Sequence, residues 1–273
     1  MKALPIAAAL AAVVLTLSAC GGSASEKDSQ SADGFTPINE GKLTNCTHLS
    51  YQPFEYEKGG EIVGFDVDIV AKVAEKLGLE QEVVDTPFET ITTGAAFNQK
   101  TCDISAAGTT VTDERKGKVD FSDSYFDANQ AVLVKDKKPA AEADLKGMKI
   151  AVQQGTTGEM YANENFKDST NTTYEDLPLS LEALKNGQVD AVVNDNGVLY
   201  DYAKQNSGFN VAFDIATGEH YGIAVKKGDA ELLKTTNEVL AELKSDGTYN
   251  EIYKKWFGVD APTAAASAAA TDK

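Results

Sequence analysis

The chain has 273 residues, with 25 Lys and Arg against 42 Asp and Glu and a formal net charge of -17. Hydrophobic residues make up 42% of it, enough for one or two ordinary cores, which excludes a disordered chain and a disulfide-dense miniature. An acidic chain without a Lys/Arg cluster repels phosphates, so nucleic acid is not an expected partner. The one long apolar stretch, residues 4–17, falls short of the roughly 20 residues a spanning helix needs.

That stretch reads as an export signal. Lys2 precedes an Ala/Leu/Val run that ends in Leu17-Ser18-Ala19-Cys20 and resembles a bacterial lipobox. The resemblance implies a signal peptide over residues 1–19, cleavage before Cys20, and a diacylglycerol thioether on the Cys20 sulfur that tethers the chain to the outer face of the cell membrane. An ordinary signal peptide with an incidental cysteine is the alternative. Residues 20–39, rich in Gly, Ser, Asp and Gln, are expected to be a flexible linker, and residues 261–273 a second loose tail. Cys46 and Cys102 then remain as an even pair in an oxidising setting, which predicts a disulfide. Two alternatives stay open: zinc held by Cys46, His48, Cys102 and His220, or two buried free thiols.

The folded region is expected over residues 40–260, where strand and helix signals alternate as in an α/β protein. Residues 42–49 predict a strand and 54–65 a hairpin turned at Gly59-Gly60. A helix follows from about Asp66, with Phe65, Ile69, Val73 and Leu77 on one face and Gly78 as its stop. A strand (81–84), a helix after Pro87 (88–98) and a strand (103–107) complete a βαβαβ unit. Past an extended run at 130–135, a second unit reads as strand 149–153, helices 159–166 and 181–185, strand 189–193 and helix 197–204. Residues 221–226 form another extended run before two closing helices. The first, 229–245, has Asp229 as N-cap and Gly247 as stop; the second, 249–257, is expected to bury Ile252, Tyr253 and Trp256. Two such units predict two lobes joined by two crossing segments, with a ligand cleft between them.

Catalytic signatures are scarce: no Gly-x-Ser-x-Gly elbow, no His-Glu-x-x-His, no phosphate or dinucleotide glycine loop, and two His in all. Binding is better supplied. Residues 108–115, Gly-Thr-Thr-Val-Thr-Asp-Glu-Arg, leave the carboxyl end of a strand and enter a short helix capped by Thr112, at the sheet edge where ligands of α/β proteins sit. Arg115 falls in the first turn, where the helix dipole disfavours a cation; its fork could hold a carboxylate, or it could form a surface pair with Asp113 or Glu114. Residues 153–158, Gln-Gln-Gly-Thr-Thr-Gly, run from strand to helix with N–H groups and hydroxyls suited to an anion. Asp195, after another strand, could cap the next helix, bind a cation, or do both.

Taken in order, Tyr51-Gln52-Pro53-Phe54, Gly64-Phe65-Asp66-Val67-Asp68, Thr112-Asp113-Glu114-Arg115, Phe121-Ser122-Asp123, Gln154-Gly155-Thr156-Thr157, the run Asp190 to Asp195, and the ending Gly247-Thr248-Tyr249 to Trp256-Phe257-Gly258 resemble the polar-amino-acid solute-binding proteins of ABC importers, family 3. The likeness covers nearly all of residues 40–258. It implies a two-lobed periplasmic-binding-protein fold of type II, with lobe one made of 40–127 plus 223–260 and lobe two of 128–222. Hinge motion is expected at 125–134 and 220–225. It also implies a monomer without catalytic activity, cofactor or metal, which delivers a free polar L-amino acid to the transmembrane subunits of a permease. Residue by residue, Arg115 matches the carboxylate anchor, helped by Thr110 and Thr157. The Gly108 carbonyl and the Asp195 carboxylate match the partners of the α-ammonium. Tyr51 and Phe88 match the aromatic walls, for which core packing is the other reading.

One position departs from the pattern. Many relatives carry an acid three residues before the first wall, whereas here it is His48, which can donate or accept and makes a lysine-like ligand less favoured. Gln153 and Asn194 also point to a polar ligand. The resemblance extends to secreted cyclohexadienyl dehydratases, which keep the arginine; such an enzyme would need a general acid, and Glu55, Glu89 and His48 have no motif to support them.

Overall fold

A computed structural model describes residues 34–262; the expected signal peptide, Cys20, residues 21–33 of the linker and residues 263–273 of the tail lie outside them. The chain opens with β1 (Lys42–Thr47), the hairpin β2 (Tyr56–Lys58) and β3 (Glu61–Val63), α1 (Phe65–Leu77), β4 (Glu80–Asp85), α2 (Phe88–Thr92), α3 (Ala95–Asn98), β5 (Ile104–Ser105), α4 (Asp113–Lys116) and β6 (Val119–Phe121). It continues with β7 (Phe126–Lys135), β8 (Lys149–Gln153), α5 (Thr157–Asn165), β9 (Thr170–Tyr174), α6 (Leu177–Lys185), β10 (Ala191–Asp195), α7 (Asn196–Gln205) and β11 (Phe209–Tyr221). Then come β12 (Ala224–Lys226), α8 (Ala230–Asp246) and α9 (Thr248–Phe257).

Two five-stranded sheets organise these elements. The first has the order β4-β1-β5-β12-β6, with β1 parallel to β4 and β5, and β12 antiparallel to both its neighbours. In the second, ordered β11-β7-β10-β8-β9, β8 runs parallel to β9 and β10 while β7 is antiparallel to β10 and β11. The chain passes between the sheets twice, before β7 and after β11, and the two passages lie side by side. Tyr125 N–H donates to the Tyr221 carbonyl (3.1 Å) and Ser122 N–H to that of Ile223 (2.9 Å).

Apolar periodicity accounts for the helices that cover the first sheet. Phe65, Ile69, Val70, Val73, Ala74 and Leu77 of α1 are buried, and the larger of these side chains contribute roughly 1.5–3 kcal/mol each. Gly78, with a φ of 70°, ends the helix by donating to the Glu75 carbonyl. In α8 the buried face is Leu232, Val239, Leu240 and Leu243, with the Asp229 side chain accepting from Leu232 N–H.

Several boundaries differ from the sequence expectation, each for a local reason. The helix expected over 88–98 is broken into α2 and α3 at Gly94, which sits at a φ of 76°. Strand 103–107 contracts to β5, and the chain beyond it leaves the β1 ladder and bridges to Tyr221 at Thr110. The run 221–226 is shared between sheets: Tyr221 closes β11, and β12 begins at Ala224. Helix α6 starts at Leu177 rather than 181, because Asp176 caps it (2.7 Å to Leu179 N–H) and Pro178 fits its first turn. Of the three α9 residues expected inside, Ile252 is buried while Tyr253 and Trp256 stay partly exposed.

Cys46, in β1, is joined to Cys102 by a disulfide with Cα atoms 5.6 Å apart. The bond consumes both thiols, so the zinc and free-thiol alternatives fall. Among the described residues no group of three or more His, Cys, Asp and Glu is arranged to hold a metal.

Candidate functional site

Loops at the carboxyl ends of β1, β5, β8 and β10 converge on a small cavity between the two sheets. His48, Tyr51, Phe88, Gly108, Thr110, Arg115, Thr157 and Asp195 all line it, joined by Glu55, Ala107, Gln153 and Thr156. The eight residues singled out by the sequence are thus brought together from both sheets.

Arg115, the chain's one arginine, is 6% exposed. Thr112 caps α4 by accepting from Arg115 N–H (3.2 Å), which leaves the side chain free to turn inward. Its Nη1 donates to the Thr110 carbonyl (2.8 Å) and its Nη2 to that of Gly155 (2.9 Å), one on each side of the cavity. These bonds occupy two of the five guanidinium N–H groups. The guanidinium carbon stands 5.3 Å from the centre of the Phe88 ring, within cation–π range. Asp113 pairs with Lys116 instead, so the surface-pair alternative for Arg115 falls. Burial pulls the Arg115 pKa down, against the opposing pull of the Asp195 and Glu219 charges.

Asp195 ends β10 and occupies the N-cap position of α7, but its side chain makes no capping bond. Its Oδ2 accepts instead from the hydroxyls of Tyr51 (2.8 Å) and Tyr221, and its Oδ1 from Gln130 Nε2. Burial, with the Glu219 charge adding to it, pushes its pKa up to about 6, while the three donors oppose the rise. At about pH 7 the carboxyl is therefore still largely ionised. Burial likewise raises both tyrosines well above their ordinary range, so they stay protonated as donors.

Gly108 adopts a φ of +54°, and a Cβ there would come within 2.8 Å of the Tyr51 ring. Its N–H donates to Asp66 Oδ2 (2.8 Å), which also accepts from Tyr125 Oη (2.7 Å). Asp66 is fully buried, and burial lifts it to about 6; burial first and the Asp66 charge second lift Glu55 well above the carboxylate range. Through its two hydrogen bonds Asp66 holds the Gly108 loop in place.

Four polar residues of the site escape sequence reading: Glu219, Gln130, Tyr221 and Asp66. Glu219 Oε2 accepts from Thr157 Oγ1 (2.9 Å), Gln130 Nε2 (3.0 Å) and Thr110 Oγ1 (3.2 Å), tying the two sides of the cavity together. The sequence offers only the two-residue spacing of Glu219 and Tyr221, which on a strand puts them on one face; that Gln130 faces Asp195 is visible in the β7–β10 register alone.

Residues 43–259 match the family described as bacterial extracellular solute-binding proteins, family 3. The chain is 38% identical over 274 residues to a probable histidine-binding protein of Neisseria gonorrhoeae, covering 95% of this chain and 97% of that protein. It is 39% identical over 204 residues to the ABC transporter glutamine-binding protein GlnH of Bacillus subtilis, covering 74% of this chain and 75% of that one. Among solved structures, an ancestral arginine-binding protein bound to glutamine superposes with a TM-score of 0.76 at 40% identity, over 81% of this chain and 100% of that one. The chain belongs to family 3 of the bacterial extracellular solute-binding proteins, and its fold is the two-lobed α/β fold of such amino-acid-binding proteins.

Proposed function

We propose that this chain captures a free polar L-amino acid as a zwitterion between its lobes and presents it to the transmembrane subunits of an ABC importer. The observation that carries this reading is one small cavity holding a buried guanidinium, Arg115, and a buried carboxylate, Asp195, from opposite sheets. Arg115 takes the α-carboxylate through a charge-assisted fork, assisted by Thr110 and Thr157. Asp195 and the Gly108 carbonyl take the α-ammonium, while Tyr51 and Phe88 wall the side chain. The named relatives are described as a probable histidine-binding protein, a glutamine-binding protein and an arginine-binding protein bound to glutamine, which supports a polar ligand.

Lobe one is residues 40–127 plus 223–260, and lobe two is 128–222. Closure about the paired passages brings Gly155 onto Arg115 and Glu219 onto Thr110, both of which bridge the cavity. The Leu17-Ser18-Ala19-Cys20 sequence supports a lipid anchor on Cys20 that keeps a monomeric receptor at the outer face of the cell membrane. These relatives are described as binding proteins, and the structure related to the dehydratase alternative is itself described as an ancestral amino-acid-binding protein, a precursor of that enzyme. A thermal-shift panel of the twenty L-amino acids tests the reading. A ligand at about 100 times its Kd adds roughly 2.7 kcal/mol of stability, and a panel with no shift overturns it.

A further inference from the structure

The side-chain end of the cavity has a hydrogen-bond polarity that can be worked out from fixed neighbours. His48 Nδ1 lies 3.1 Å from the Thr86 carbonyl oxygen. A carbonyl only accepts, so Nδ1 carries the hydrogen, and in the neutral ring Nε2 is a bare lone pair. That Nε2 is buried without a protein partner, on a ring that lines the cavity.

Gln153 is fixed by a similar chain. The Asp195 backbone N–H donates to Asn194 Oδ1 (2.8 Å), which settles which way the Asn194 amide faces. Asn194 Nδ2 therefore donates to Gln153 Oε1 (3.2 Å), which leaves Nε2 as the donor end of Gln153, a residue 2% exposed that lines the cavity.

We propose that His48 Nε2 as acceptor and Gln153 Nε2 as donor together select an amino acid whose side chain has both a donor and an acceptor, such as the carboxamide of glutamine or the neutral imidazole of histidine. The inference rests on the reading of the cavity as an amino-acid site. Ionised glutamate brings acceptors only and opposes His48; lysine brings donors only and opposes Gln153; methionine pairs with neither. Each buried group left unpaired weakens binding by roughly 5- to 150-fold.

Calorimetry on the full chain at about pH 8, above the ordinary histidine range, compares L-glutamine, L-histidine, L-glutamate, L-lysine and L-methionine. The expected result is that glutamine or histidine binds tightest and the other three at least roughly tenfold more weakly. Glutamate, lysine or methionine matching that affinity overturns the proposal. Long-range ¹H–¹⁵N spectra of the unliganded protein test the tautomer independently. His220 is the only other histidine, so a His220→Gln variant assigns the signals. An Nε2–H tautomer at His48 refutes the acceptor role whatever binds. A Gln153→Glu variant, which exchanges the donor for acceptors and retains the Asn194 contact, is expected to give lysine a larger thermal shift than glutamine; the reverse order counts against the donor role. If none of the five binds but another of the twenty L-amino acids does, this inference fails and the amino-acid reading stands; if none of the twenty binds, the amino-acid reading fails and takes this inference with it.

Discussion

Replacing Asp195 by Asn should make the empty protein more stable at neutral pH while destroying its affinity for ligand. Burial raises the carboxyl from 3.8 to about 6, a shift that corresponds to roughly 3 kcal/mol of unfavourable free energy for the ionised folded form at about pH 7. The sign follows from proton counts: between about pH 4 and 6 the folded state binds more protons at this site than the unfolded chain, so stability falls as pH rises through that window. An Asn side chain removes the charge but turns an amide toward Gln130, and the lost hydrogen bond costs about 1 kcal/mol. The net expectation is a variant about 2 kcal/mol more stable than wild type near pH 7 and about 1 kcal/mol less stable near pH 4. Urea unfolding of both ligand-free proteins at the two pH values measures it. A variant that is the less stable one near pH 7, or a difference that does not change with pH, refutes the view that Asp195 is a strained, ionised carboxylate held ready for a cation.

Arg115→Met should raise the Kd of the bound amino acid by roughly 30- to several thousand-fold, the cost of leaving a buried charge partner unpaired, and calorimetry within threefold of wild type would contradict the anchor role. Gly108→Ala forces a side chain into a left-handed backbone and onto the Tyr51 ring; a destabilisation of roughly 1–2 kcal/mol in urea unfolding and at least a tenfold loss of affinity are expected. Reduction of Cys46–Cys102, which closes a loop spanning 56 positions, should cost about 4 kcal/mol on the chain-entropy account, read from unfolding with and without reductant.

The features that the sequence announces are those written locally. The 42–47 strand, the hairpin at Gly59-Gly60 and α1 with its Gly78 stop depend on periodicity and glycine chemistry within a dozen residues, and they occur within a residue or two of expectation. The Gly108-to-Arg115 run likewise places its arginine and threonine in the cavity, because a strand end, a cap and a short helix are all contiguous. Residues that act across long separations are not written in that way. Glu219 reaches Thr110, 109 positions away, and Asp66 reaches Gly108 from the other end of the first sheet unit; only the folded topology brings them together. Strand β9, Thr-Asn-Thr-Thr-Tyr, escapes because an edge strand facing water has no apolar alternation to show. The two readings of Asp195, cap or ligand group, could be separated only by finding where its oxygens point.

The central claim is that both charges of one amino acid are met at once. The most direct measurement takes the best binder of the twenty-amino-acid panel and compares it calorimetrically with its N-acetyl derivative and its α-carboxamide on the full chain. The account predicts that each modification, by removing one charge, weakens binding at least roughly a hundredfold, as expected when a buried charge is left unpaired. Either derivative binding as well as the parent would contradict it.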